Sequence, residues 1–533
     1  MPILEQSSKS LKTIYAKHAM VATSEPSAAH VGLEILKKGG NAIDAAIAVA
    51  AALTVVEPTS NGIGGDNFAL VLFQGQLHGL NSSGFAPEAL SRDVLIQQGI
   101  TEIPRFGFIP VTVPGAVKGW ATLHKKFGQI PFKDVLAPAI KLAKDGFIVS
   151  QTVSKSWKTA YEIYSKYLKA DMYQYWFETF AQDQSTPREG EKMKLLDHAS
   201  TLEDIANTYG DSFYNGRLAS LIDVFSRKHH GYIRAKDLAA FESEWVEPIQ
   251  TSYKGYQVYE IPPNGQGAVA LMALNIIEQL SMSQTKNLDS VHHQIEATKL
   301  AFSDGLKYIS DPSSMTVTID QLLSKSYASK RAKLITKKAL EPEPGTPQAG
   351  GTVYLATADQ YGNMVSMIQS NYMGFGSGLV VPGTGIALHN RGHNFSMDPT
   401  SSNVLAPHKK PYHTIIPGFL YKDQLPLGPF GVMGGFMQPQ GHLQVLMNMI
   451  DFHQDPQQAL DEPRFQWIKN KTITVEPDFN QRMIYHLRQR GHEIMVDPNV
   501  GSFGRGQIIL KDLKTGGYLG GTEKRCDGTI ASY

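Results

Sequence analysis

The chain has 533 residues, 42% of them hydrophobic, and its 50 Lys+Arg against 49 Asp+Glu leave a net charge of +1. That composition is ordinary for a globular protein and excludes a disordered or collagen-like chain, while the near-zero charge supplies no field to hold nucleic acid or an anionic membrane surface. The single cysteine, Cys526, allows neither an internal disulfide nor a thiolate metal cluster.

In chain order, residues 1–12 (MPILEQSSKSLK) are polar and lack the apolar stretch of a secretory signal, so a cytoplasmic location is expected. A helix is predicted over 28–38. The apolar run 45–56, bounded by Asp44 and Glu57, is shorter than the roughly 18 residues of a membrane span and reads as a buried helix entered through the turn Gly39-Gly40-Asn41. A strand at 69–73 and helices at 135–144, 268–280 and 290–309 follow. Residues 337–351 carry three prolines and three glycines and read as a surface linker. The linker opens onto a hairpin: a β-branched and aromatic strand at 352–358, a turn at 359–363 and a second strand at 364–370. Helical spacing returns at 441–452. With no internal repeat, these segments predict an α+β layout of helices over antiparallel sheets rather than alternating βαβ units.

Several chemistries fail on motif grounds. There is no G-x-S-x-G elbow and no P-loop G-K-[ST]; in the stretch 61–67 Asn67 stands at the third glycine position of a dinucleotide loop. His389 and His393 are four apart, but Asn390 and Gly392 favour a turn between them, so ordinary polar or substrate-contacting roles are expected rather than metal ligation. The adjacent pair His292-His293, beside Glu296 on a predicted helix, is read as structural. Neither metal nor organic cofactor is expected.

The junction Gly351-Thr352 has more to offer. A threonine hydroxyl needs a base within hydrogen-bond reach, and cleavage of the preceding peptide bond would free an α-amino group of pKa about 7.7–8.0 on the same residue. The same hydroxyl could make that cut by attacking the Gly351 carbonyl, uncrowded by any Cβ. A threonine that simply starts a strand after two glycines has the same local pattern, which leaves both readings open.

Longer motifs bear on the choice: Met20-Val21-Ala22, the stretch 31–46 (VGLEILKKGGNAIDAA), Gly64-Gly65, Val113-Pro114-Gly115, Glu260-Ile261-Pro262-Pro263, and Thr352 followed by Asp359 and Gly362-Asn363. In these, over nearly its whole length, the chain resembles the γ-glutamyltranspeptidase family of N-terminal-nucleophile hydrolases. The resemblance implies a four-layer αββα sandwich and a precursor that cuts itself between Gly351 and Thr352. Its pieces, 1–351 and 352–533, would stay together as one intertwined domain, a heterodimer of the chain's own fragments, with any higher oligomer left open. Thr352 would be the nucleophile, Ser370 the hydroxyl that orients it, and Gly434 and Gly435 the oxyanion hole; bare glycine amides suit that task because no side chain blocks them.

The acyl-group pocket departs from the family pattern. Ser83 stands where an arginine is expected, Arg391 and Asn394 where acidic residues hold an ammonium, and His413 and Thr414 at the paired serines of the carboxylate site. Tyr372 is counted with these substrate contacts. Arg391 would repel an ammonium by several kcal/mol in a poorly solvated site and, with His393 and His413, suits an acyl group that ends in a carboxylate and lacks the amine. That pattern is similar to the acylase-like and oxamate-amidohydrolase-like branch, with which the chain shares Asn390-Arg391-Gly392, residues 395–399 (FSMDP) and 438–442 (QPQGH). A salt bridge to a neighbour such as Asp398 is the other reading of Arg391. The expected function is therefore a self-processing threonine amidohydrolase or acyltransferase working through an acyl-enzyme ester on a small-molecule amide. Two other readings stand beside it: a γ-glutamyl hydrolase or transferase (glutathione hydrolase) with a variant donor pocket, and a binding protein that has lost processing.

Overall fold

The structure, a computed structural model, describes residues 12–342 and 351–533. The signal-peptide reading of the N-terminus and most of the predicted linker lie outside the described residues. Among the described residues no helix is long and apolar enough to cross a membrane.

Two seven-stranded antiparallel sheets pack face to face. The first runs Thr529–Ser532, Met20–Thr23, Gly351–Ala358, Met364–Tyr372, Asp66–Phe73, Gln76–Ser82, Glu244–Val246. In the second the order is Ile14–Ala16, Tyr518–Thr522, Arg505–Lys511, Leu425–Met433, Gly418–Lys422, Tyr256–Glu260, Ile249–Tyr253. Phe68, Leu70, Tyr354, Ile368, Phe419 and Ile509 fill the space between them. Helices Pro26–Lys37 and Ala42–Val56 cover the outer face of the first sheet, and Gly267–Glu278, Leu288–Tyr308 and Met437–Ile450 that of the second. The result is the four-layer αββα sandwich of the N-terminal-nucleophile hydrolases.

Local chemistry accounts for the elements. Ala42–Val56 is buried along its full length, as a helix with apolar residues on every face must be. It begins three residues before the predicted run because Asn41 caps it, accepting from the Ile43 and Asp44 amides while the Asp44 carboxylate accepts from the Asn41 amide. The helices predicted at 135–144, 268–280 and 290–309 appear as Phe132–Asp145, Gly267–Glu278 and Leu288–Tyr308. That predicted at 441–452 starts earlier, at Met437, with Pro439 tolerated in its first turn.

Strand alternation positions the site. In Asp66–Phe73, Phe68, Leu70 and Leu72 face the other sheet while Ala69 and Val71 face the helices. In Met364–Tyr372, Ile368 also faces the other sheet, which puts Ser370, two residues on, and its ladder partner Asp66 at the end of that inter-sheet layer.

Candidate active site

At this end of the layer the Thr352 Oγ1 lies 3.2 Å from the Ser370 Oγ, and both residues are buried. The Ser370 Oγ also accepts the Tyr372 N–H at 2.7 Å, so the second hydroxyl is fixed by its own strand. The ladder between the two strands shifts register between Gly351 and Val353, around Thr352.

From the facing sheet comes the turn that follows Leu425–Met433. Gly434 and Gly435 have φ of +132° and +62°, and a Cβ on Gly434 would lie 3.1 Å from the Gly504 Cα, so the turn needs glycine for both conformation and space. Their carbonyls accept the Met437 and Gln438 amides at the start of the helix Met437–Ile450. Gln266 ties this turn to the neighbouring segment, its Nε2 donating to the Gly435 carbonyl at 2.9 Å and to the Thr414 carbonyl at 2.6 Å. Tyr354, two residues after Thr352, packs on Gly431, three residues before Gly434.

Behind Ser370 sits a buried polar cluster centred on Asp66. Its Oδ2 accepts from His389 Nδ1 at 3.0 Å, Arg391 Nε at 3.0 Å and His413 Nε2 at 2.9 Å, and all four side chains are inaccessible to solvent. Burial opposes ionisation of Asp66, but the contacts from His389 and His413 outweigh it and hold the carboxyl well below the usual carboxylate range. His413 is pushed down to about 3, by burial first and then by the Arg391 charge. It is therefore a neutral donor through Nε2, and its Nδ1 accepts the Ile415 amide at 3.4 Å.

Arg391 sends Nη1 to the Thr414 Oγ1 at 2.7 Å and stacks its guanidinium over the Tyr372 ring at 4.4 Å. Among the described residues its Nη2 and the Asp66 Oδ1 have no hydrogen-bond partner. Tyr372, at φ +72°, donates its hydroxyl to the Asn394 Oδ1 at 2.5 Å, and burial pushes its pKa up to about 12.

Thr352 is thus brought together with Ser370, and Arg391 with His413, Thr414, Tyr372 and, through Tyr372, Asn394. His393 is not part of this cluster: its Nδ1 bonds the Ile103 carbonyl at 2.8 Å. The ion-pair partner of Arg391 is Asp66 and not Asp398, which is exposed and accepts from Thr400. This corrects the charge argument, because Asp66 compensates the cation that was to repel an ammonium. Ser83 donates to the Asn81 Oδ1 at 2.7 Å. Asp66 and Gln266 went unnoticed in the sequence; the one available signal was a carboxylate heading the otherwise apolar strand Asp66–Phe73.

His292, Glu296 and His492 form a second buried group, with ligand atoms within 4.8 Å of one another. The Lys299 Nζ already lies 2.7 Å from the Glu296 Oε1 and 3.5 Å from the His492 Nδ1, and His292 bonds both His492 and the Thr336 carbonyl. Glu296 is thus already matched by an ammonium.

Residues 28–533 match the gamma-glutamyltranspeptidase family, and the chain belongs to it. It is an enzyme of that hydrolase and acylase family. The glutathione hydrolase-like YwrD proenzyme of Bacillus subtilis (strain 168) is 34% identical over 530 residues, covering 97% of this chain and 99% of that protein. The oxamate amidohydrolase proenzyme of Klebsiella pneumoniae is 32% identical over 531 residues, covering 97% and 98%. Among solved structures, cephalosporin acylase from Bacillus halodurans superposes with a TM-score of 0.97 at 56% identity, covering 100% of this chain and 99% of its own.

Proposed function

We propose that the chain is a self-processing threonine amidohydrolase, cut between Gly351 and Thr352 into fragments 1–351 and 352–533 that remain associated. The observation that carries this reading is the Thr352 Oγ1 held 3.2 Å from the Ser370 Oγ immediately after Gly351, within a strand bordered by others on both sides. Once its amino group is free, Thr352 adds through Oγ1 to the substrate amide carbon and passes its proton to that amine. The Gly434 and Gly435 amides take the oxyanion, collapse expels the substrate amine with the proton, and water resolves the ester. An amine arriving in place of water gives acyl transfer.

For the acyl group, the unpartnered Arg391 Nη2 supports an acid that ends in a carboxylate. A second reading has its own support: the unpartnered Asp66 Oδ1 beside it offers an ammonium the acceptor a γ-glutamyl group needs. Amino-terminal sequencing of the smaller fragment, with Thr352→Ala as control, tests the processing. Glutaryl, oxamate and γ-glutamyl amides assayed side by side test the acyl group: glutaryl or oxamate turnover above γ-glutamyl supports the first reading, and faster γ-glutamyl turnover replaces it with the second.

A further inference from the structure

The turn at Gly434-Gly435 has no side chains of its own to hold it, and glycine at φ +132° and +62° has little intrinsic preference for one conformation. Contacts from outside must fix the direction of its amides. The Gly435 carbonyl accepts the Gln438 amide at 3.2 Å, from the helix that follows, and the Gln266 Nε2 at 2.9 Å. Gln266 stands immediately before the helix Gly267–Glu278 and is inaccessible to solvent.

Both ends of the Gln266 amide are engaged. Its Nε2 donates to two carbonyls, those of Gly435 and Thr414, and its Oε1 accepts the Tyr412 hydroxyl at 3.0 Å, so the side chain has one orientation that satisfies all three. The Tyr412 ring stacks on Phe436, the residue after Gly435, with centroids 5.8 Å apart and planes 17° from parallel. On the acyl side, the Thr414 Oγ1 accepts from Arg391. That side has further anchors: the His413 amide donates to the Asn264 carbonyl and the Gln266 amide to the His413 carbonyl, both at 2.9 Å, and the Asn264 Nδ2 donates to the Pro411 carbonyl at 2.8 Å. These bonds use the backbone or Asn264 and survive a change of the Gln266 side chain. Losing that side chain therefore loosens the glycine turn more than the segment that carries Thr414.

We propose that Gln266 is a positioning residue for the oxyanion: its side chain fixes the Gly435 peptide, and with it the direction of the turn's amides, without touching the substrate. The proposal rests on the reading of Thr352 and the Gly434-Gly435 turn as the reacting groups. Removing one oxyanion donor outright costs about 10²–10³ in kcat; Gln266 acts through a donor that would be displaced and not removed, so a loss of about 10- to 100-fold is expected.

The test compares the processed wild type with Gln266→Met, which keeps the length but loses every hydrogen bond, and with Tyr412→Phe, which loses only the hydroxyl on Oε1. Three quantities are read: kcat and KM on glutaryl or γ-glutamyl para-nitroanilide, whichever the wild type turns over faster; inhibition by the matching boronic acid, 4-boronobutanoate or its 2-amino derivative, whose boron takes the Thr352 Oγ1 to form a tetrahedral anion; and calorimetric binding of the matching free acid, glutarate or glutamate, which forms no such anion. Gln266→Met should lower kcat and weaken the boronate by similar factors of about 10–100, with KM and free-acid binding within about threefold of wild type. Tyr412→Phe should cost about threefold or more in kcat alone and little further in the Gln266→Met background, because its hydroxyl acts through the same amide. A kcat within about threefold of wild type in Gln266→Met, or a loss of free-acid binding as large as the loss in kcat, would overturn the proposal and leave the mechanism standing. If Gln266→Met is not folded or not cut, Tyr412→Phe decides: lower kcat with free-acid binding kept supports the proposal, and wild-type kcat overturns it. Amide turnover that persists in Thr352→Ala would instead overturn the reading of the reacting groups, and the role of Gln266 with it.

Discussion

Replacing Asp66 by Asn tests the central electrostatic claim. The substitution keeps the side chain's shape but removes the charge that faces the Arg391 Nε at 3.0 Å and accepts from His389 and His413. Breaking a buried ion pair from one side strands the other charge, which costs about 3–5 kcal/mol. At about 2.1 cal/mol/K per residue, 533 residues have an unfolding entropy of roughly 1.1 kcal/mol/K, so Tm should fall by about 3–5 °C. Calorimetry and urea unfolding in a Thr352→Ala background, where the protein unfolds as one chain, give both quantities. Adding Arg391→Met should recover most of the loss, because the stranded charge goes with it, and the cycle should show a coupling of about 2 kcal/mol or more. The sign with pH also follows. A carboxyl held below its unfolded value of about 3.9 adds stability above that pH and loses it as pH falls toward the folded value, so the penalty of Asp66→Asn should shrink in acid. A penalty under about 1 kcal/mol at neutral pH, or strict additivity of the two changes, would refute the ion-pair account.

Three other outcomes are expected. Ser370→Ala should lower kcat about 10²-fold with KM little changed, since it removes the group 3.2 Å from the nucleophile; single-turnover kinetics showing less than about a threefold fall would refute the positioning role. In Gly434→Ala, a Cβ at φ +132° placed 3.1 Å from the Gly504 Cα should displace the turn and cost about 10²–10³ in kcat, and wild-type kcat in this variant would remove the glycine pair from the mechanism. Finally, His413 is held neutral at about 3 while its unfolded value is 6.5, so the unfolded chain binds the extra proton between these limits and wild-type stability falls with pH there. The stability of wild type relative to His413→Gln should drop by about 2 kcal/mol between pH 6.5 and 5, read from urea midpoints, and a constant difference would contradict the buried neutral imidazole.

What was legible in the sequence is what depends on neighbours along the chain. The hairpin at 352–370 and the buried helix predicted over 45–56 follow from short-range alternation and apolar content, and the proposed role of Thr352 could be argued from sequence because it places nucleophile and base on one residue. The Asp66 cluster was read incompletely for the opposite reason. Asp66 meets His389, Arg391 and His413 across separations of 323, 325 and 347 residues, and these three lie outside the strands, in a segment between Tyr372 and Gly418 whose placement no local pattern announces. Arg391 alone looked like an uncompensated cation; only folding supplies its counter-charge. Gln266 is hidden in the same way, since its two acceptors, the carbonyls of Thr414 and Gly435, lie 148 and 169 residues on.

The strand end at Ser370–Tyr372 joins Thr352 to the Asp66 cluster. Within three residues it presents the hydroxyl beside Thr352, the amide held by the Ser60 carbonyl, and the ring under Arg391. Tyr372 adopts a left-handed conformation that costs a non-glycine residue about 1–3 kcal/mol, and it persists because its amide is bonded to Ser370, its hydroxyl to Asn394 and its face to Arg391. The hydroxyl beside Thr352 and the ring that meets the Asp66 cluster through Arg391 are thereby built on one short backbone segment. A shift of that segment alters the Ser370 hydroxyl beside Thr352 and the contact with Arg391 together, which gives a physical reason for storing strain at Tyr372 rather than relaxing it with glycine.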